Sequence, residues 1–217
     1  MELNGKKVAF LGDSITEGAG ASDEQHRYTH VFGAIAGCEI FVDGISGTRI
    51  AKQNAPTVDN PRFDLDFVSR VPALPADADV IVVFGGTNDF GHGDAPFGNF
   101  EDRTQDTFCG AMHVLCKALV EKYPYATIVF MTPLHRLGEY GEINELGIPR
   151  KTLVEYVNMI RRVCEYYSIP VVDLYKNSGM QPEIPCIQEI YMPDGLHPSN
   201  AGAKKIAYAL KNFLLNL

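Results

Sequence analysis

The chain has 217 residues, 46% of them apolar, enough for one α/β domain with a buried core and too many for a disordered chain. Its net charge of −8, from 19 basic and 27 acidic side chains, lacks the basic footprint that a nucleic-acid partner requires. No run of about 18 apolar residues offers a membrane span, and the apolar stretch at 8–11 is too short for the core of a signal peptide, so a cytoplasmic location is expected.

A first strand is predicted over 8–11, Val-Ala-Phe-Leu. It breaks on Gly12, and Ser14 follows two residues later, at the carboxyl end of a strand, where open α/β sheets hold their ligands. Further short apolar runs predict strands over 39–42, 80–84, 127–131 and 170–174. Turns follow the second and third, at Gly44-Ile45-Ser46-Gly47 and Gly85-Gly86-Thr87-Asn88-Asp89. Between strands, Phe108, Met112, Leu115 and Leu119 step at helical spacing, as do Leu153, Val157, Ile160, Cys164 and Tyr167. Ile206, Leu210, Phe213 and Leu214 mark a last helix that Ser199 or Asn200 could cap. Cys38, Cys109, Cys116, Cys164 and Cys186 show no CxxC spacing and read as free thiols; Cys109 and Cys116, seven apart, read as core. Strands alternating with helices predict a parallel sheet covered on both faces, one domain over 1–217. Right-handed crossovers then bring every strand's carboxyl end, and the loops after it, to one rim.

That rim would gather chemistry. A serine hydroxyl is a weak nucleophile at neutral pH and needs a base. His197 can serve, with Asp194 three residues upstream to fix its tautomer, and Pro198 keeps it out of the helical region. By itself, Asp-x-x-His reads equally as a helix-entry turn. The backbone N–H groups of Ser14 and Gly47 and the side-chain amide of Asn88 could stabilise an oxyanion, although each alone reads as a turn or a cap. Ser46 is a weaker rival nucleophile, because it sits where the donor loop should be.

Gly12-Asp13-Ser14-Ile15, Gly47, Gly86-Thr87-Asn88-Asp89 and Asp194-Gly195-Leu196-His197-Pro198 stand in the order and spacing of the SGNH hydrolases, or GDSL esterases/lipases, which the chain resembles from its first strand to its last helix. The resemblance implies a three-layer α/β/α flavodoxin-like sandwich with a five-stranded parallel sheet. It implies Ser14 as nucleophile, Gly47 and Asn88 as oxyanion donors beside the Ser14 N–H, Asp194 and His197 as acid and base, and no metal or organic cofactor. Many members carry an asparagine two residues before the first glycine of the second block. Here that place is Val42, followed by Asp43, which leaves the support of the Gly47 loop open.

Substrate contacts are expected from the rim loops. Residues 91–98 offer His92, and 132–150, long for a connector, offer His135, Arg136 and Tyr140. Residues 177–193 offer Met180, Ile184, Ile190 and Tyr191. His92 and His135 read as wall residues rather than bases, since neither has an acid at the Asp-x-x-His spacing. Polar loops lean towards small or polar esters such as O-acetylated sugars. A lysophospholipase or thioesterase and a non-catalytic flavodoxin-like binding domain are the alternatives, and self-association into a homo-oligomer stays open. The binding domain is disfavoured because Gly12-Asp13-Ser14 lacks the glycines and lysine of a phosphate loop, and Asp13 and Glu17 would repel an anion.

Overall fold

The computed structural model describes residues 1–58 and 60–217. The five strands are β1 (Lys7–Gly12), β2 (Glu39–Gly44), β3 (Val80–Phe84), β4 (Thr127–Met131) and β5 (Val171–Val172). They form one sheet in the order β2-β1-β3-β4-β5, every pair parallel, which is the flavodoxin-like arrangement. The order reverses between β1 and β3, so the loops leaving those two strands diverge around a crevice at the carboxyl edge.

Alternation along the central strands splits the core in two. Ala9, Leu11, Ile81, Val83, Ile128 and Phe130 face one side, against α5 (Phe108–Lys122) and α6 (Leu153–Tyr166). Val8, Phe10, Val80, Val82, Val129 and Met131 face the other, against α2 (Tyr28–Ala36) and α9 (Asn200–Leu215). Both faces of the central strands are apolar because both are covered, as a parallel sheet requires. Cys109 and Cys116 are buried core residues, and all five cysteines are free thiols.

One strand is shorter than in the sequence reading. The last strand is only Val171–Val172, because Asp173 turns the chain by accepting the Lys176 N–H and capping α7 (Leu174–Asn177), while Arg161 holds its carboxylate at 2.8 Å. Of the two expected caps for α9, Ser199 is the one that serves, its Oγ accepting the Gly202 N–H. Among the described residues, no helix is long and apolar enough to cross a membrane.

Candidate active site

Ser14 opens a single helical turn, α1 (Ser14–Glu17), directly after β1. Asp13 caps that turn by accepting the Ile15 N–H at 3.0 Å, which fixes the backbone on either side of Ser14. Arg70, at the end of α3 (Phe67–Arg70), donates to the Gly12 carbonyl at 2.9 Å. The strand end and the turn are therefore held independently, and Ser14 is left at the crevice.

His197 comes to the same point from the other end of the chain. Ser14 Oγ lies 3.0 Å from His197 Nε2, and His197 Nδ1 lies 2.7 Å from Asp194 Oδ2. Asp194 also accepts the backbone N–H groups of Leu196 at 2.8 Å and His197 at 2.7 Å. The tight turn needs Gly195, whose φ of +77° L side chains rarely adopt. With a carboxylate on Nδ1, the imidazole proton belongs there and Nε2 is left to accept from the serine. Partial burial pushes the Asp194 carboxyl up, but the His197 and Leu196 donors outweigh it and hold it below the ordinary range. The helix-entry turn and the Asp–His pair are thus one structure.

The opposite wall is the loop after β2. Gly47 takes φ +77°, and a Cβ there would fall 2.6 Å from the Phe63 ring. Among the described residues, the Ser14 and Gly47 N–H groups have no hydrogen-bond partner. Asn88, in α4 (Thr87–His92), spends one amide proton on the Thr48 carbonyl at 2.9 Å, which orients the other. Buried charges hold this loop. Asp89 accepts the Ile50 and Ala51 N–H groups at 3.0 and 2.9 Å, and burial pushes its carboxyl up to about 6. Glu17 accepts the Ser46 N–H at 2.7 Å and its hydroxyl, which commits Ser46 to the scaffold rather than to nucleophilic chemistry. Arg70 also donates to the Asp43 carbonyl, the Asp43 carboxylate and Thr48 Oγ1 at 3.1, 3.2 and 3.2 Å. It thereby supplies the support that Val42 left open. The sequence reading missed Arg70, Asp89 and Glu17 as clamps, because their partners lie 22 to 58 residues away and leave no local pattern.

The four expected substrate contacts separate. His92 lines an open cavity of about 630 Å³ that Gly47 also lines. Arg136 does not face it as a free grip: its guanidinium donates to the Thr87 carbonyl at 3.2 Å, pairs with Glu145 at 3.3 Å and lies over Phe90. His135 does have an acid, though not at the Asp-x-x-His spacing. Glu139, four residues later in a turn and wholly buried, receives its Nδ1 at 2.9 Å, while the ring lies against Tyr175. Tyr191, at the end of α8 (Pro185–Tyr191), packs against the α9 side of the core with the Lys205 ammonium over its ring. Of the 177–193 stretch, Met180 is buried in that core, and none of the four candidates lines the cavity. Its walls come instead from Arg49, Gln53, Phe63, Asp94 and residues 145–148, of which Asp94 and the last lay in loops singled out from sequence.

Residues 10–205 match the GDSL-like lipase/acylhydrolase family. The chain belongs to that family. A solved structure 35% identical to this GDSL-like chain superposes with a TM-score of 0.84, covering 100% of this chain and 99% of the other. A Lactobacillus plantarum protein is 32% identical, with a TM-score of 0.83 and 98% of each chain covered. An acetyl xylan esterase is 20% identical with a TM-score of 0.65, covering 96% of this chain and 99% of that one, a likeness of fold alone. Comparison with curated proteins finds no match. Family and fold together support an ester hydrolase in general terms.

Proposed function

We propose that the protein is a serine esterase that hydrolyses small or polar carboxylic esters, O-acetylated carbohydrates among them, through an acyl-enzyme. The observation that carries this reading is the unbroken hydrogen-bonded line Ser14–His197–Asp194, with links of 3.0 and 2.7 Å. Ser14 Oγ attacks the ester carbonyl as His197 Nε2 takes its proton. Asp194 stabilises the imidazolium that forms. The carbonyl oxygen becomes an oxyanion facing the Ser14 and Gly47 N–H groups and the free amide proton of Asn88. These donors are fixed before reaction, so they need no reorganisation as charge develops. Collapse expels the alcohol, which leaves with the proton from His197. Water, deprotonated by the same imidazole, then releases the acid and restores Ser14.

Hydrolysis of p-nitrophenyl esters from acetate to decanoate by wild type and Ser14→Ala tests this. Turnover greatest on acetate and reduced by on the order of 10⁴-fold or more in Ser14→Ala is expected. A preference for the long chains favours the lysophospholipase or thioesterase alternative. Turnover that survives in Ser14→Ala defeats the serine mechanism, and no turnover on any chain length favours a binding domain.

A further inference from the structure

The cavity that Gly47 and His92 line has a wall whose chemistry the proposed mechanism does not use. Arg49 stands two residues beyond Gly47, and although it is an arginine it is only 4% exposed. It donates from Nη1 to the Phe63 carbonyl at 3.1 Å, and its Nη2 lies 2.8 Å from His92 Nδ1. A guanidinium has no acceptor and stays charged, so His92 Nδ1 must be the acceptor of that bond. The imidazole is thereby held neutral with its proton on Nε2. Burial, then the Arg49 charge, pushes the His92 pKa down to about 4, with Arg136 acting the same way and Glu145 opposing. His92 is only partly buried and lines the cavity, so it offers the cavity a hydrogen-bond donor without a charge.

The remaining walls select among partners for that donor. Asp94, which accepts the Asn54 and Ala55 N–H groups, and Glu145, which pairs with Arg136, contribute carboxylate oxygens whose remaining lone pairs accept from a neutral donor. Gln53, also on the wall, keeps a buried Oε1 that has no partner among the described residues. A plain alkyl chain would cover these polar groups without bonding them, which costs binding energy. Hydroxyl groups both donate and accept, so they suit a wall that mixes an imidazole N–H with carboxylates and an amide. Phe63, Leu146 and Ile148 add flat apolar surface for the C–H faces of a ring.

We infer that this cavity holds the hydroxyl-bearing part of the ester, a polyol such as a sugar residue, which His92 reads through its Nε2–H with Arg49 as the positioning residue that fixes the tautomer. The inference rests on the esterase reading and adds the class of substrate and the residues that select it.

The test compares kcat/KM for 6-O-acetylglucose with that for ethyl acetate in wild type, His92→Phe, His92→Gln and Arg49→Met. Wild type should prefer the acetylated sugar. His92→Phe should lower the sugar-over-ethyl ratio about tenfold through KM, as expected for one lost hydrogen bond. His92→Gln, which keeps a donor, should restore most of it. Imidazole ¹⁵N spectra should show wild-type His92 as the Nε2–H tautomer without titration above pH 5, and Arg49→Met should return its titration towards the ordinary histidine range. A ratio unchanged in His92→Phe, with Ser14-dependent activity intact, overturns the cavity inference and leaves the esterase standing. His92 found protonated or in the Nδ1–H tautomer also overturns it. Absence of Ser14-dependent turnover on either ester overturns the esterase reading, and this inference with it.

Discussion

The two walls of the crevice are built on opposite plans. The Asp194–His197 wall is local: three hydrogen bonds within four residues, with the Asp194 side chain 54% exposed. The Gly47–Asn88 wall is non-local and dry, with Asn88 and Arg70 about 5% exposed and contacts that join β1, β2, α3 and α4. The difference follows from what each wall would do. A group that passes a proton back and forth works beside water and needs only its own orientation. Donors that meet a developing negative charge act best when water is excluded and their positions are fixed in advance. The cost of burying Arg70, Asp89 and Asp13 is a scaffolding cost of that second wall.

Arg70→Met should break the comparison most strongly. It takes one donor from each of the Gly12 and Asp43 carbonyls, the first keeping the Ile45 N–H, and leaves the largely buried Asp43 carboxylate without its cation. Removing one partner of a buried ion pair typically costs about 3–5 kcal/mol, so thermal unfolding should shift down by roughly 10 °C for a chain of this size. A shift of a degree or two would show that the Gly47 loop stands without this clamp. Asn88→Ala comes next. It removes a donor, along with the amide that ties down the Thr48 carbonyl, and kcat on a p-nitrophenyl acetate assay should fall about 10²–10³-fold, or roughly 2.7–4 kcal/mol. On the proposed mechanism the interaction is made in the transition state, so KM should hardly move. A change carried by KM alone would place Asn88 in ground-state binding instead.

The contrast also explains what could be read from the sequence. The sheet was legible because its strands are buried on both faces and therefore spell short apolar runs, and because β1, β2 and β3 each end in a glycine-containing turn. Ser14, Asp194 and His197 were legible for a similar reason: each sits in a short motif whose spacing its own backbone turn requires. Arg70 and Arg49 were not. Alone in apolar surroundings, each looks like a surface charge until the fold shows the carbonyls and the imidazole it meets. The loops at 91–98 and 132–150 pointed to part of the cavity wall, whereas Arg49, in Gly47-Thr48-Arg49-Ile50-Ala51 immediately after the donor loop, carried no pattern that marked it. His135 misled in the opposite direction, since an acid search restricted to Asp-x-x-His spacing passes over Glu139 four residues later.

The smallest expected effect separates the walls by pH. Asp13 is fully buried beneath Ser14, and burial pushes its carboxyl up to about 7, against the Ile15 N–H and the Arg70 charge. The folded protein therefore binds a proton that the unfolded chain has released between roughly pH 4 and 7. That contribution to stability is complete below about pH 4 and is lost as the pH rises through about 7. Asp194, held below the ordinary range, runs the other way: its contribution is present above the unfolded carboxylate pKa and fades as the pH falls. Asp13→Asn keeps an oxygen for the Ile15 N–H and removes only the ionisation. Its melting temperature relative to wild type should rise between pH 5 and pH 8, by the equivalent of about 1–2 kcal/mol once relaxation around the charge is allowed for. Asp89, pushed up to about 6 by burial, remains in the variant, so between roughly pH 4 and 6 the variant should keep about half the wild-type slope, and between pH 6 and 7 it should lose nearly all of it. A wild-type-minus-variant difference that stays flat across that range would mean that Asp13 is already ionised at pH 5, with Arg70 compensating its charge in full.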